Sequence, residues 1–299
     1  MNKTRTGTLF GLAGFGIWGF VALYWSHLEN VNAYEIVAHR SIWTLFFAII
    51  ILAITKQLRP TWELIKQPRI SIGLLFASIC VSANWLIFIW AVNHDHVVET
   101  SLGYYINPLV VIAFGTLILK EKMRRLQWLA TGIATVGVLV LTIGYHHPPY
   151  VALGLAISWG GYGLIKKELG VPAVSSLAIE TLFLLVPYLL FIAHLSSKGE
   201  NHFGHQLGTT LLLIGGGLIT GVPLLFFIGA TNRLPLTTLG LMQYITPSIS
   251  FLIGVFVRHE EMSTYRWIGF ITVWVALFVL SSDLIKSSSA SSIKQSAEQ

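Results

Sequence analysis

Charge is scarce in this 299-residue chain: 11% of its residues are Asp, Glu, Lys or Arg, against about a quarter in an ordinary soluble domain. With 54% hydrophobic residues and a mean hydropathy of +0.71, the chain has too little polar side chain to cover a water-facing globule of this length. A soluble protein is excluded. Cysteine is nearly missing as well. The one thiol, Cys80, lies inside an apolar run, so it forms no internal disulfide and reads as a small packing residue. Basic residues exceed acidic ones, 19 to 13, yet they are scattered between apolar runs and build no patch interleaved with aromatics. No nucleic-acid partner is expected. The sequence also lacks H-E-x-x-H, G-x-S-x-G and a Walker loop, so nothing points to an enzyme, and no cofactor or nucleotide drive is expected. GFGIWG spells the G-x-G-x-x-G of a dinucleotide site, but it lies inside an apolar helix with no strand before it.

What the chain has in quantity is long apolar runs. They fall near residues 7–25, 34–55, 71–92, 100–119, 126–144, 150–165, 174–194, 209–230, 237–257 and 265–283, the sixth being short. Ten spans of roughly the 20 residues that cross a bilayer predict an all-α integral membrane protein. A β-barrel would show alternating segments of about ten residues instead. The basic start followed by an apolar stretch resembles a signal peptide, but no small-residue cleavage site follows Trp25, so a retained first span is expected. Residues 286–299 are polar and Ser-rich and read as a disordered tail.

Alternate connections face opposite sides, so their Lys and Arg residues can be counted by side. One side takes Lys3, Arg5, Lys56, Arg59, Lys66, Arg69, Lys120, Lys122, Arg124, Arg125, Lys166, Lys167, Arg233, Lys286 and Lys294; the other takes Lys198, Arg258 and Arg266. Fifteen against three, with Arg40 as the nineteenth, predicts that both termini are cytoplasmic. The stretch AYEIVAHRS (33–41) then enters the membrane from outside.

A shift of about 140 residues lays the second half on the first. Trp18-Gly19 falls on Trp159-Gly160, Asn93 on Asn232, Pro108 on Pro247, Glu121 on Glu260 and Trp128 on Trp267. A repeat five spans long must re-enter from the opposite side, which predicts two inverted five-helix repeats, 1–144 and 145–285. Inverted repeats belong to secondary transporters, with binding at the repeat interface.

NWLIFIWAVN (84–93), ETSLGYYINPL (99–109), AHRSIW (38–43) and TLGLMQYITP (238–247) resemble the RarD group of EamA-type permeases in the drug/metabolite transporter superfamily, and the likeness runs along the whole chain. The resemblance implies ten helices around a central cavity with the fifth and tenth peripheral, in a bacterial inner membrane. It also implies efflux of a small organic metabolite or drug, with the group's name tied to chloramphenicol. A non-transporting receptor or scaffold and an intramembrane enzyme are the alternatives; the largest outer connection, SSKGENHFGHQLG, is small for a scaffold.

Several polar residues lie too deep to be loop. Arg40 sits roughly 9 Å into its span, where a guanidinium persists only if solvated, paired or useful. It is read either as an anchor paired with Glu35 or a backbone carbonyl, or as a cavity residue orienting an anionic or dipolar cargo. The repeat lays Arg40 on Glu180, the one acid well inside the second half, with about 12 Å left between their depths, so no direct salt bridge is expected. Glu180 is the candidate proton-coupling carboxylate, with a hydrogen-bonded structural acid as the alternative. Asn84, Trp85, Trp90, Asn93, Tyr104, Tyr105, Asn107, Gln243 and Tyr244 are the further candidate substrate-binding residues, an amide-bearing and aromatic wall suited to an organic solute. Trp25, Trp62, Trp128, Trp267 and Tyr145 read as interfacial aromatics. His94-Asp95-His96, His146-His147 and the His202/His205 pair read as solvated loop, not metal ligands, and no metal site is expected. KQLRPTWELIKQPRI (56–70) reads as an amphipathic cytoplasmic linker near anionic lipid. The expected partners are therefore a small-molecule substrate and the bilayer.

Overall fold

Backbone that faces lipid must satisfy its own hydrogen bonds, and a helix does this within one segment. The computed structural model describes residues 3–93, 97–142 and 150–256, together with 264, 267–269, 271–272, 274–279 and 282, and every regular element among them is helical. The elements are α1 (Lys3–Trp25), α2 (Ala33–Ile54), α3 (Leu58–Ile65), α4 (Pro68–Asn93), α5 (Val97–Ala113), α6 (Arg125–Thr142), α7 (Tyr150–Leu169), α8 (Ala173–Ser197), α9 (Leu207–Thr231), α10 (Leu236–Met242) and α11 (Ile245–Phe256). Five stretches are long and apolar enough to cross a membrane: Lys3–Trp25, Ala33–Ile54, Pro68–Phe88, Ala173–Ser197 and Leu207–Thr231. Shorter apolar helices cover Leu102–Ile118, Arg125–Val140 and Trp267–Val279. The His94–His96 and His146–His147 stretches, Tyr145, Glu260 and the tail lie outside the described residues, as does the side chain of Asn93.

Three elements differ from the sequence expectation. The run expected at 150–165 lies in a longer helix: α7 continues to Leu169 and carries Lys166 and Lys167, which the charge count assigns to a connection, and it is not among the five helices above. The ninth span is two helices, α10 and α11, parted at Gln243-Tyr244. The fourth ends in a π-turn, Phe114–Ile118, whose extra residue per turn follows Pro108 by less than two turns. The linker at 56–70 contains the eight-residue α3, and its Thr61 hydroxyl is buried against Ser175 Oγ of α8 at 2.8 Å.

The packing pairs helices across the two halves. α1 packs on α9 and α11, α7 packs on α4 and α5, and α2 lies between α8 and α9. Small residues permit these approaches: a Cβ on Gly19 would lie 2.5 Å from Ile249 Cβ, and one on Gly160 would lie 3.1 Å from Val110 Cγ1. In the register that lays Pro108 on Pro247, Val110 falls on Ile249, so the two glycine contacts are equivalents. Equivalent residues also meet each other. Trp18 and Trp159 are edge-to-face with centroids 5.2 Å apart, and the Tyr244 hydroxyl donates to the Tyr105 carbonyl at 3.2 Å. Around the tryptophans, Phe15, Tyr162 and Phe227 complete an aromatic core at centroid distances up to 6.0 Å.

Candidate functional site

The start of α2 explains how charge is tolerated there. Asn32 caps it by accepting the Tyr34 N–H at 2.9 Å, and Glu35 in the first turn meets the positive end of the helix dipole. Glu35 has no exposed surface. Its two oxygens accept the backbone N–H of His202 at 2.7 Å and lie 2.8 Å from His202 Nδ1, while His39 Nε2 stands 3.9 Å away. Phe203 stacks on the His39 ring at 4.7 Å and flanks Trp43 at 6.0 Å. The α8–α9 connection therefore folds down over the mouth of α2. His202, expected as solvated loop, is tied to Glu35 while 41% of its side chain stays exposed, and the His205 ring lies 3.3 Å from Asn201 Oδ1.

With Glu35 held by His202, Arg40 has lost the acidic partner the sequence offered it. Its Nε is buried with no hydrogen-bond partner, and no described carboxylate pairs with it. Instead the guanidinium lies over the Trp85 ring, 3.8 Å from the centroid, with Trp25 at 6.0 Å. The phenols of Tyr104 and Tyr188 are within electrostatic reach. Tyr104 is 47% exposed and Arg40 is partly exposed. Trp25, expected at the interface, belongs to this cluster.

The other expected site residues divide. Asn84 Nδ2 donates to the Leu155 carbonyl at 2.8 Å and to Ser158 Oγ at 3.1 Å, so its amide ties α4 to α7. Tyr105 and Tyr244 are core residues, bonded to each other as above. Trp90 is 44% exposed. Asn107 Oδ1 is buried without a partner, and so are both amide atoms of Gln243, at the break between α10 and α11.

Glu180 sits at the other end of the helix pair. Its carboxylate is bonded to Lys166 Nζ and accepts from Ser176 Oγ at 2.9 Å, and Lys166 also bonds Ser176. Both charged side chains are at least 98% buried. The Tyr162 ring lies 5.5 Å from the ammonium. Arg40 and Glu180 do not pair with each other. Sequence reasoning missed Lys166 because two adjacent lysines were taken as the end of a span. The repeat gave no signal, since the shift that lays Trp159 on Trp18 lays Lys166 on Trp25, the last residue of α1. Nearby, Glu121 caps α10 by accepting the N–H groups of Leu236 at 2.7 Å and Thr237 at 2.8 Å. Lys167 Nζ donates to the carbonyls of Thr231 at 3.0 Å and Leu234 at 2.5 Å, at the end of α9.

Apolar helices tied together by buried amides, hydroxyls and an ion pair define a multi-pass membrane protein. The chain belongs to the EamA-like transporter family, whose model matches residues 5–143 and 149–282. It is 47% identical to a Protein RarD of Streptomyces exfoliatus over 95% of this chain and 91% of that one. It is 42% identical to the uncharacterized transporter YojE of Bacillus subtilis over 95% and 96%. At 27% identity it is also similar to the chloramphenicol-sensitive protein RarD of Pseudomonas aeruginosa, over 93% and 94% of the two chains. A solved crystal structure 18% identical in sequence matches 93% of this chain and 97% of its own with a TM-score of 0.74, which shows the fold alone.

Proposed function

We propose that the protein is a secondary transporter that exports a small organic molecule by alternating access between two inverted repeats, residues 1–144 and 145–285. The observation that carries the reading is Arg40: a guanidinium inside a span, stacked on Trp85 and partnered by no described carboxylate. A structural arginine in a membrane would be paired, because leaving it unpaired is costly. Arg40, Trp85, Tyr104, Asn107 and Gln243 are proposed to face the cargo, and Asn84, Tyr105 and Tyr244 to hold the frame around them. The contacts between equivalent residues, Trp18 with Trp159 and Gly19 matched by Gly160, support the repeat, as does the division of the family match into two stretches. Both termini are proposed to be cytoplasmic on the charge count. A proton-coupling role for Glu180 requires the Lys166 pair to open during the cycle, so coupling would belong to the pair.

The test is flux in sealed vesicles over a compound panel that includes chloramphenicol, with and without a pH gradient. Transport of at least one compound that Arg40→Ala abolishes supports the reading; identical flux in protein-free vesicles for every compound removes it.

A further inference from the structure

A cation within a helix of a membrane protein, without a counter-ion among the described residues, is a statement about what comes to meet it. Two acids set within the helices are committed: Glu35 to His202 and His39, and Glu180 to Lys166 and Ser176. Among the described residues Arg40 is therefore a positive charge with no carboxylate partner, and Glu35, the acid on its own helix, is already taken. The Arg40 guanidinium carbon lies 3.8 Å from the Trp85 centroid, and a guanidinium stacked on a ring keeps its in-plane N–H fork free for a ligand. A fork of parallel N–H donors matches the two oxygens of a carboxylate. Beside it stand flat walls, Trp85, Trp25 and Tyr104, with Phe88 edge-on to Tyr104 at 6.4 Å.

Resting on the pathway reading of Arg40 above, we infer that the cargo is a planar organic carboxylate without a compensating ammonium, bound through its carboxylate to the Arg40 fork with its ring between the aromatic walls. A monoanion leaving an inside-negative cell moves down the membrane potential. At about 100 mV this sustains a roughly fifty-fold outward concentration ratio without any coupling ion. Export of this class needs neither ATP nor a proton.

Naphthoate, naphthamide and naphthylmethylamine share one ring system and differ in charge. The inference expects the purified full-length protein to bind naphthoate at least tenfold more tightly than either of the others. Arg40→Gln should bring the acid-to-amide ratio close to one. Arg40→Lys, which keeps the charge and loses the fork, should leave an intermediate ratio and covers the case in which the Gln variant fails to fold. In proteoliposomes loaded with each probe, an imposed inside-negative potential should accelerate naphthoate efflux and leave naphthamide efflux unchanged. Equal binding of acid and amide, an acid preference that survives in Arg40→Gln, or no naphthoate binding at millimolar concentration each overturns the inference. The two readings fail separately: if the neutral or cationic probe is carried and Arg40→Ala stops it, Arg40 lines the pathway and only the anion class is wrong, whereas carriage that Arg40→Ala leaves unchanged ends the pathway reading as well.

Discussion

Lys166 of α7 and Glu180 of α8 form an ion pair from which solvent is almost wholly excluded, closed by a shared hydrogen bond to Ser176. Removing one member leaves the other as a buried unpaired charge, which costs about 3–5 kcal/mol, whereas replacing both by apolar residues of similar volume costs far less. Lys166→Met and Glu180→Leu should each lower stability in detergent by that order, and the double variant should recover most of the loss. Equal, additive losses in chemical unfolding would show that the two charges act independently.

Glu180→Gln addresses the coupling role, because a neutral amide still accepts hydrogen bonds but cannot titrate. If the pair carries a proton, the variant should lose the dependence of flux on a pH gradient while retaining counterflow exchange. Gradient-driven transport at the parental rate returns Glu180 to a structural role.

At the crossing of α1 and α11 the contact is set by the absence of a side chain. A methyl at Gly19 would overlap Ile249, so Gly19→Ala should destabilise by about 1–3 kcal/mol. Ile249→Ala in the same chain should restore much of it. Gly16, whose Cβ would meet nothing within 4 Å, is the control position and should tolerate Ala.

The spans were legible because apolar length is a one-dimensional property. α1, α2, α4, α8 and α9 can each be recognised from a run of residues alone. Partners were less legible, since they depend on contacts between distant positions. Glu35 suggested Arg40 as its partner five residues on, yet it is held by His202, 167 residues away in a stretch that reads as loop. Lys166 looked like a span terminus because its neighbour Lys167 is charged too, and only the fold shows one lysine turned inward and the other turned to the carbonyls ending α9. The break at Gln243-Tyr244 is announced by Pro247, which lies in the first turn of α11, where a proline fits a helix start. Of the aromatic and amide residues expected to touch cargo, composition could not separate Tyr104, which keeps half its surface, from its buried neighbour Tyr105. That difference is one of helix face, visible only once α7 covers one side of α5.

The clamp of the α8–α9 connection on α2 should show coupling between its two residues. In a cycle of Glu35→Ala, His202→Ala and the double variant, the interaction energy should lie between about 0.5 and 3 kcal/mol. Phe203→Ala should add to the cost of exposing the His39 ring. A value indistinguishable from zero would mean the contact contributes nothing to holding the connection down.

Orientation is tested by thiol labelling in a Cys80→Ala background. Glu200 is exposed and avoids the positive φ of Gly199, +68°, so Glu200→Cys should react with an impermeant reagent from outside. Ser288→Cys should react only after the inner face is opened. The reverse pattern would invert the topology and the side from which Arg40 is reached.

The central claim is that Arg40 serves the cargo rather than the fold, and flux per folded molecule in Arg40→Lys and Arg40→Ala tests it most directly. The account predicts folded yields near the parental level for both, transport reduced in the Lys variant and abolished in the Ala variant. An arginine that only anchors α2 gives the opposite result: Lys tolerated, Ala lost from the folded pool, and full flux in whatever Arg40→Ala protein survives.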